Sequence, residues 1–292
     1  MNRRQFLRRA ATTTMIASQA GRLWASDANN VYLPNIGLQL YTVRNEISKD
    51  VTGTMKAVAQ AGYQQGEAYG FPNCDPLIQA MRDAGLALHS THFEWDCVVQ
   101  PKDVGMSDFM KIVEKAHREG VTHLVIPYLQ AEVRQTLDDY KKLAANFNKA
   151  AVLSKDAGIQ LSYHNHAFEF EPKEGGRTGY DVFVEDFGEA MMFEVDVFWV
   201  KVGGAEPTDL IKKLTGRVSQ LHLKDLKAGL KLPEFGSVPN DAFQALGQGI
   251  IPMEPILAAA KGAGVVYCQV EQDQSPDPIA SVRQSMTYLR GL

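Results

Sequence analysis

Short apolar runs alternate with longer amphipathic segments along the whole chain after Asn35, and this alternation constrains the fold more than any other feature. Apolar runs of about four to eight residues are typical of buried strands, whereas apolar residues at three- and four-residue spacing are typical of helices. Several predicted helices end in a glycine directly before a predicted strand, the usual helix stop. These glycines are Gly62, Gly85, Gly120, Gly158 and Gly264.

The alternation contains eight strand–helix units without a linker or a break in composition. The predicted strands cover residues 36–41, 63–67, 85–90, 122–127, 159–164, 191–195, 218–223 and 265–270. Strict alternation of strand and helix requires a parallel sheet. Eight units favour a closed barrel over a doubly wound sheet, and no glycine-rich nucleotide-binding loop follows the first strand. We therefore predict an α/β protein with a single (β/α)8 TIM-barrel domain over residues 31–292.

The first thirty residues carry a different signal. Residues 2–8, with the pair Arg3-Arg4 followed by Phe6-Leu7, resemble a bacterial twin-arginine export signal. A weakly apolar stretch and small residues follow, so cleavage after Ala20 or Ala25 is expected. We predict a signal peptide with a short linker over residues 1–30 and a periplasmic mature protein; the alternative is a basic arm that is retained.

Composition limits the partners of the mature protein. The full chain has a net charge of −4, and cleavage after Ala25 leaves 25 basic against 34 acidic residues, a net charge of −9. Because affinity for nucleic acid comes mainly from Lys and Arg, nucleic acid is not an expected partner. No apolar run is long enough to span a membrane, so no membrane association is expected after export. Three cysteines without a Cys-x-x-Cys pair make a disulfide framework improbable.

Polar side chains gather where the predicted strands end, which is the active-site face of such a barrel. The residues at or beside these ends are Tyr41, Glu67, His92, His164, His166, Glu169, Asp196, His222, Lys224 and Glu271. Imidazole together with carboxylates suits one divalent ion such as Mn²⁺, Co²⁺, Zn²⁺ or Fe²⁺ better than Mg²⁺ alone. A metal would polarise a carbonyl or hydroxyl pair of a polyol, while a carboxylate moves the proton.

We predict Tyr41, Glu67 and His92 as substrate-binding residues. The predicted catalytic residues are Glu271, Lys224, Glu169 and His166. Lys224 follows His222 by two residues, so strand alternation places both side chains on the same face. There its ammonium would stabilise negative charge on the substrate.

Each of four residues also has a structural explanation. His222 could be a core histidine, and Asp196 could cap the following helix. Glu271 could be a solvated strand end, and Lys224 could only pair with Asp225 or Asp196 at the rim.

Several ordered motifs resemble the xylose-isomerase-like sugar isomerase/epimerase superfamily. They are residues 38–44 (LQLYTVR), 163–170 (YHNHAFEF), 196–199 (DVFW), 222–225 (HLKD), 246–249 (LGQG) and 270–273 (VEQD). The resemblance implies a TIM barrel with one metal held by Glu, Asp, His and Glu from strands five to eight. Asp196, His222 and Glu271 fall on the last three positions. His164 replaces the strand-five glutamate, with Glu169 as the other candidate for that position.

This departure bears on the reaction. In typical members of the superfamily, two metal-bound glutamates on opposite faces of the substrate transfer the proton. One of these glutamates is missing here. Glu169 or Glu67 would therefore have to be the second proton carrier. The leading prediction remains a metal-dependent isomerase or epimerase acting next to the carbonyl of a sugar. The alternatives are a lyase or hydrolase acting on 3-keto-glycosides and, from another class, an exported sugar-binding protein without turnover. The sugar, the metal and the oligomeric state stay open.

Overall fold

The computed structural model describes residues 30–292. The predicted export signal, including Arg3-Arg4 and both cleavage sites, lies outside these residues, so export stays a prediction. Within the described chain, no helix is both long and apolar enough to cross a bilayer.

Eight parallel strands form a closed barrel, which confirms the predicted fold class. They are β1 (Gly37–Gln39), β2 (Gln65–Phe71), β3 (Ala87–Phe93), β4 (His123–Ile126), β5 (Gln160–His164), β6 (Met191–Asp196), β7 (Val218–Leu223) and β10 (Tyr267–Val270). Neighbours follow the chain order, and β10 closes the barrel by pairing with β1 on one side and β7 on the other. A small antiparallel hairpin, β8 (Asp225–Leu226) with β9 (Phe243–Gln244), extends the loop after β7.

Helices cover the outside of the barrel. They are α1 (Arg44–Ile47), α2 (Val51–Ala61), α3 (Asp75–Asp83), α4 (Asp96–Val99), α5 (Ser107–Glu119), α6 (Leu137–Asp156), α7 (Gly179–Asp186), α8 (Val197–Val202), α9 (Pro207–Lys213), α10 (Met253–Ala263) and α11 (Pro278–Arg290). The glycine stops have the predicted cause: Gly120 and Gly264, for example, have φ of 78° and 80°. A side chain is strained in this left-handed region, so glycine ends the helix at low cost.

The eight predicted strands correspond to the eight barrel strands, with differences in length near the site. β2 continues to Phe71 and β3 to Phe93, beyond the predicted residues 67 and 90, because Glu67 and Gly70 in β2 and Thr91 and His92 in β3 interrupt the apolar pattern. The short helix α8, directly after β6, was not predicted. It begins where the Asp196 side chain accepts hydrogen bonds from two backbone amides.

The barrel interior is polar beneath its C-terminal face. TIM-barrel interiors are usually filled by branched apolar side chains, but here fully buried Glu67 accepts hydrogen bonds from Gln39 Nε2 at 2.9 Å and Gln220 Nε2 at 3.2 Å. The Ser90 hydroxyl donates to the same carboxylate. This hydrogen-bonded layer supports the side chains above it, because a buried polar group that is fully paired holds one orientation.

Candidate active site and metal centre

Four strand ends bring the four predicted metal ligands together. His164, Asp196, His222 and Glu271 come from the ends of β5, β6, β7 and β10, and each is at most 4% exposed. Asp196 Oδ2 lies 3.8 Å from His164 Nε2 and 3.8 Å from His222 Nδ1. His222 Nδ1 lies 2.7 Å from Glu271 Oε2. Asp196, His222 and Glu271 are close enough to bind one cation together.

Asp196 has two functions in the fold. Its Oδ1 accepts hydrogen bonds from the backbone amides of Phe198 at 2.9 Å and Trp199 at 3.0 Å, so it caps α8. Its Oδ2 is buried and points to the other side, where the Lys224 ammonium lies 2.9 Å away. The helix cap and the site position are therefore compatible, because each uses a different oxygen. The cap also holds Oδ2 towards the site.

A second group of possible ligands lies deeper in the barrel, around Glu194. Glu194 Oε2 is 3.2 Å from His92 Nε2, 3.0 Å from His164 Nδ1 and 3.2 Å from His222 Nε2. These four residues can also converge on one cation. His222 belongs to both groups, with Nε2 facing Glu194 and Nδ1 facing Glu271. His164 belongs to the deeper group, and its other ring nitrogen lies 3.8 Å from Asp196 Oδ2. His92, predicted to bind substrate, thus contacts Glu194 as well.

Carboxylates outnumber fixed cations in this cluster. The acidic residues are the buried Glu67, Glu194, Asp196 and Glu271 and the partly exposed Asp273, and the one lysine is Lys224, with His92, His164 and His222 between them. Burial disfavours charge on His222, but Glu194, Glu271 and Glu67 outweigh it and hold its pKa well above the usual range. A proton on His222 therefore supplies charge that a divalent ion would replace. The donor set and the excess of negative charge fit one divalent metal.

Lys224 sits inside the cluster rather than at the rim. Its ammonium is 2.9 Å from Asp196 Oδ2, 2.7 Å from Glu271 Oε2 and 3.1 Å from Asp273 Oδ2, and the side chain is only 2% exposed. Burial lowers the pKa of a lysine, but Asp196, Asp273 and Glu271 together keep the pKa of Lys224 well above its usual range. Lys224 and His222 in turn hold the pKa of Glu271 well below its usual range despite burial. Lys224 does pair with Asp196, one of the two partners named for a purely structural lysine, but this ion pair lies at the centre of the site and not at the rim.

Glu67, predicted to bind substrate, is absent from the lining of the cavity that opens above the cluster. Its side chain is fully buried below the strand ends, and its Oε2 lies 2.6 Å from His222 Nε2. With Gln39, Ser90 and Gln220 bound as well, both oxygens are occupied. Glu67 therefore orients His222 from beneath and cannot contact a substrate at the mouth.

Glu169 is also away from the cluster. It lies in a short 3-10 turn after β5, fully buried, where Oε1 accepts from the Tyr163 hydroxyl at 2.5 Å and Oε2 from the His166 backbone amide at 2.9 Å. Burial raises its pKa to about 7. Tyr163 packs against Phe183 on the helix side of the barrel, with ring centroids 4.7 Å apart. Of the two candidates for the strand-five position, the geometry places His164, not Glu169, beside Asp196.

A cavity of about 550 Å³ opens above the cluster and forms the mouth of the barrel. Its lining residues are Tyr41, Tyr69, Gly70, His92, Phe93, Glu94, Trp95, Pro127, Tyr128, His164, His166, Lys224, Glu271 and Asp273. Tyr41 and His92, predicted to bind substrate, and His166, Lys224 and Glu271, predicted to be catalytic, all face this space. The size suits a small organic ligand.

His166 stands on the wall opposite Glu271 and Asp273. Its ring packs 5.1 Å from Trp199 and 5.4 Å from Phe168, between centroids. Burial, with His164 and Lys224 nearby, keeps its pKa well below the usual range, so the ring is neutral. Its Nδ1 is buried and has no hydrogen-bond partner among residues 30–292.

Sequence reasoning did not assign roles to Glu194 and Asp273. Both follow the alternation that identified other residues: Glu194 precedes Asp196 by two positions and Asp273 follows Glu271 by two. Burial raises the pKa of Asp273 to about 7, with Glu271 adding to the rise and Lys224 opposing it. Alternation from Asp196 and Glu271 therefore indicates that both residues lie on the site face.

Comparison with known proteins agrees with the geometry. Residues 55–292 match the sequence family described as xylose isomerase-like TIM barrel. An inosose dehydratase of Bacillus thuringiensis is 23% identical over 266 residues, covering 80% of this chain and 86% of that protein.

Two solved structures share the barrel. A sugar phosphate isomerase/epimerase from Parabacteroides distasonis superposes with a TM-score of 0.73 at 25% identity, covering 87% of this chain and 97% of that one. An IOLI protein with a bound zinc atom has a TM-score of 0.66 at 13% identity, covering 88% and 98%.

Proposed function

The chain belongs to the xylose isomerase-like TIM barrel family, and on that premise we propose that it is a metal-dependent lyase that eliminates water or an alcohol next to the carbonyl of a keto-sugar. The family relationship indicates a sugar-modifying enzyme and argues against the alternative of a sugar-binding protein without turnover. The reaction and the substrate are the parts that we propose.

One observation carries the choice of reaction: of the three carboxylates that line the cavity, the two that contact Lys224 come from the same strand end, and the third, Glu94, follows β3. Glu271 and Asp273 both follow β10, and the strand-five position opposite holds His164. Burial lowers the pKa of His164 to about 4. Epimerisation removes a proton from one face of a carbon and returns one to the other face, so it needs proton carriers on both sides. Elimination does not need a carrier on the opposite side.

The metal would be held by Asp196, His222 and Glu271, with His164 completing the set. When bound, a divalent ion polarises the substrate carbonyl and so acidifies the neighbouring C–H bond. The solved structure of an IOLI protein with the same barrel contains a zinc atom, which supports a divalent metal in a protein of this fold. The mixed imidazole and carboxylate set supports the same conclusion.

The chain's own residues would then divide the proton transfers. Glu271 uses Oε2 to contact Lys224 and His222, which leaves Oε1 to accept the C–H proton. The Lys224 ammonium stabilises the negative charge that develops on the substrate oxygen. Asp273, with a pKa of about 7, is suited to protonate the leaving oxygen at neutral pH. The inosose dehydratase relative, whose name describes loss of water, supports this assignment.

The test combines metal analysis with a product assay. The protein loaded with Mn²⁺, Co²⁺ or Zn²⁺ is incubated with inososes, keto-sugars and 3-keto-glycosides, and unsaturated ketone products are detected by ultraviolet absorbance and NMR. We expect Glu271→Gln to abolish exchange of the substrate C–H proton with D₂O. Asp273→Asn should retain this exchange but slow the departure of the leaving group, because the leaving oxygen is no longer protonated. Turnover that survives complete chelation would contradict the proposal.

A second candidate is isomerisation or epimerisation, and the position of His166 favours it. A neutral imidazole on the wall opposite Glu271, whose Nδ1 has no hydrogen-bond partner among residues 30–292, could return a proton to the other face of the substrate. The two reactions give different products, an epimer or an unsaturated ketone. If an epimer forms and His166→Asn abolishes it while C–H exchange persists, this second reaction is correct.

We also propose that the enzyme acts in the periplasm after twin-arginine export. The support is the order of the Arg3-Arg4 pair, Phe6-Leu7, the apolar stretch and the small residues before Ala25. This route exports folded proteins, which suits a protein that binds its metal before export.

A further inference from the structure

A second cavity of about 790 Å³, here called the outer groove, adjoins the barrel mouth. Glu94 and Trp95, which follow β3, line both spaces and form the partition between them. The remaining wall of the groove comes from residues 72–73 after β2, α4 and the residues that follow it, α5, and residues between 130 and 133. The half-buried Trp95 indole therefore borders both the mouth cavity above the predicted metal ligands and the outer groove.

The outer groove has an apolar floor and a balanced rim. Trp95, Val99, Ile112 and Val133 supply apolar surface. The charged residues that line it are four basic and four acidic: Lys102, Lys111, Lys115, Arg118, Glu94, Asp96, Asp108 and Glu132.

Ion pairs occupy most of the basic groups. Lys102 and Lys111 each lie 3.0 Å from Asp108, and Lys115 pairs with Asp75 outside the groove. A phosphate or a polyanion would need uncompensated cations, so this surface suits a neutral ligand that presents both an apolar face and hydroxyl groups.

We propose that the outer groove binds a second sugar ring attached to the leaving oxygen, so that the substrate is a neutral keto-glycoside rather than a free keto-sugar. This inference rests on the proposed lyase function. The reacting ring would occupy the mouth cavity, and the second ring would pack on the Trp95 indole, since the faces of sugar rings carry C–H groups that pack well on aromatic surfaces.

The chemical step balances without a further reactant. Glu271 takes the proton from the carbon next to the carbonyl, and a double bond forms between that carbon and its neighbour. The bond from the neighbour to the glycosidic oxygen breaks, and Asp273 gives that oxygen a proton. The products are an unsaturated keto-sugar and the released second sugar.

The experiment uses full-length metal-loaded protein and two kinds of substrate. The one-ring substrate is the methyl glycoside of 3-keto-glucose, and the two-ring substrates are the α- and β-linked 3-keto disaccharides of glucose. Val133→Trp adds a bulky indole at a position that lines the outer groove and does not line the mouth cavity. Val152→Trp, on the exposed outer side of α6, is the matched control.

We expect Val133→Trp to lower kcat/KM for the preferred two-ring substrate by about tenfold or more, and to change the one-ring value by less than about twofold. Trp95→Ala should act in the same direction and Trp95→Phe should restore most of the loss, whereas Val152→Trp should resemble wild type. Equal effects of Val133→Trp on both substrates, or none on either, would overturn the proposal.

Binding is measured separately by titration calorimetry with glucose disaccharides and methyl glucoside, so that the groove is tested even if the lyase assignment fails. Tighter binding of a disaccharide that Val133→Trp abolishes supports the groove as a sugar site, whatever reaction follows. A wild-type protein that binds no disaccharide more tightly than methyl glucoside would rule the groove out, even if elimination is observed.

Discussion

Replacement of Lys224 by methionine tests how the buried charges of the site are balanced. Methionine keeps the length of the side chain but removes the ammonium that lies within 3.1 Å of Asp196, Glu271 and Asp273. Removing one partner of a buried ion pair costs about 3–5 kcal/mol, because the remaining charge stays buried without compensation. For a domain of this size, each kcal/mol corresponds to roughly 2–4 °C in Tm, so we expect Tm to fall by roughly 10 °C.

The fall in Tm caused by Lys224→Met should depend on pH. Without the ammonium, the pKa of Asp273, already raised to about 7, rises further. A carboxyl group whose pKa is higher in the folded state stabilises the protein below its unfolded pKa and loses that contribution as pH rises through the folded value. The difference in Tm between wild type and Lys224→Met should therefore be larger at pH 8 than at pH 5.5.

Thermal unfolding is followed by circular dichroism in a chelating buffer at both pH values and at one scan rate. The control is Lys227→Met, an exposed lysine that pairs with Asp241 at 2.5 Å and should contribute at most about 1 kcal/mol. Added divalent metal should recover part of the loss in Lys224→Met, because it brings positive charge to the same carboxylates. On the correct substrate, turnover should fall by about 10²- to 10³-fold while metal stays bound. A Tm for Lys224→Met equal to that of Lys227→Met at pH 8 would refute the reasoning.

Three further predictions concern the metal, the buried glutamate and export. His222→Ala should lose most bound metal by elemental analysis, whereas His117→Ala on α5 should keep it; equal occupancy would remove the metal assignment. Glu169 has a folded pKa of about 7 against an ordinary 4.5, so wild type should lose roughly 3 kcal/mol between those pH values. Glu169→Gln should be free of that loss in denaturant titrations at pH 5 and 8, and parallel pH profiles would contradict the burial argument. Replacing Arg3 and Arg4 by lysine should retain the protein in the cytoplasm, and an unchanged periplasmic fraction would reject the export signal.

The convergence of the site could be predicted because parallel strands all end on the same face of a barrel. Once the strands were recognised, polar residues at their ends had to meet there, and His164, Asp196, His222 and Glu271 do so. Alternation also placed Lys224 beside His222. The same rule applied to residues two positions away would have found Glu194 and Asp273.

The directions of Glu67 and Glu169 could not be predicted in this way. Glu67 lies one layer below the strand ends because β2 runs four residues further than its apolar run, and its pairing with β3 shifts register on both sides of that residue. Glu169 follows β5 in a turn where no periodicity defines which way a side chain points. Both residues look like site residues in the sequence, yet one supports His222 from beneath and the other is buried among the helices.

The sequence alone determined the barrel, since the order of apolar runs, amphipathic helices and glycine stops is a local property that each segment expresses independently. Only the tertiary structure decided which carboxylates share the Lys224 ammonium, which oxygen of Asp196 faces the site, and that Trp95 stands between two cavities. These features depend on distances between segments far apart in the chain, which are set by strand register and by packing across the barrel. Local patterns carry no information about such distances beyond the face on which a residue lies.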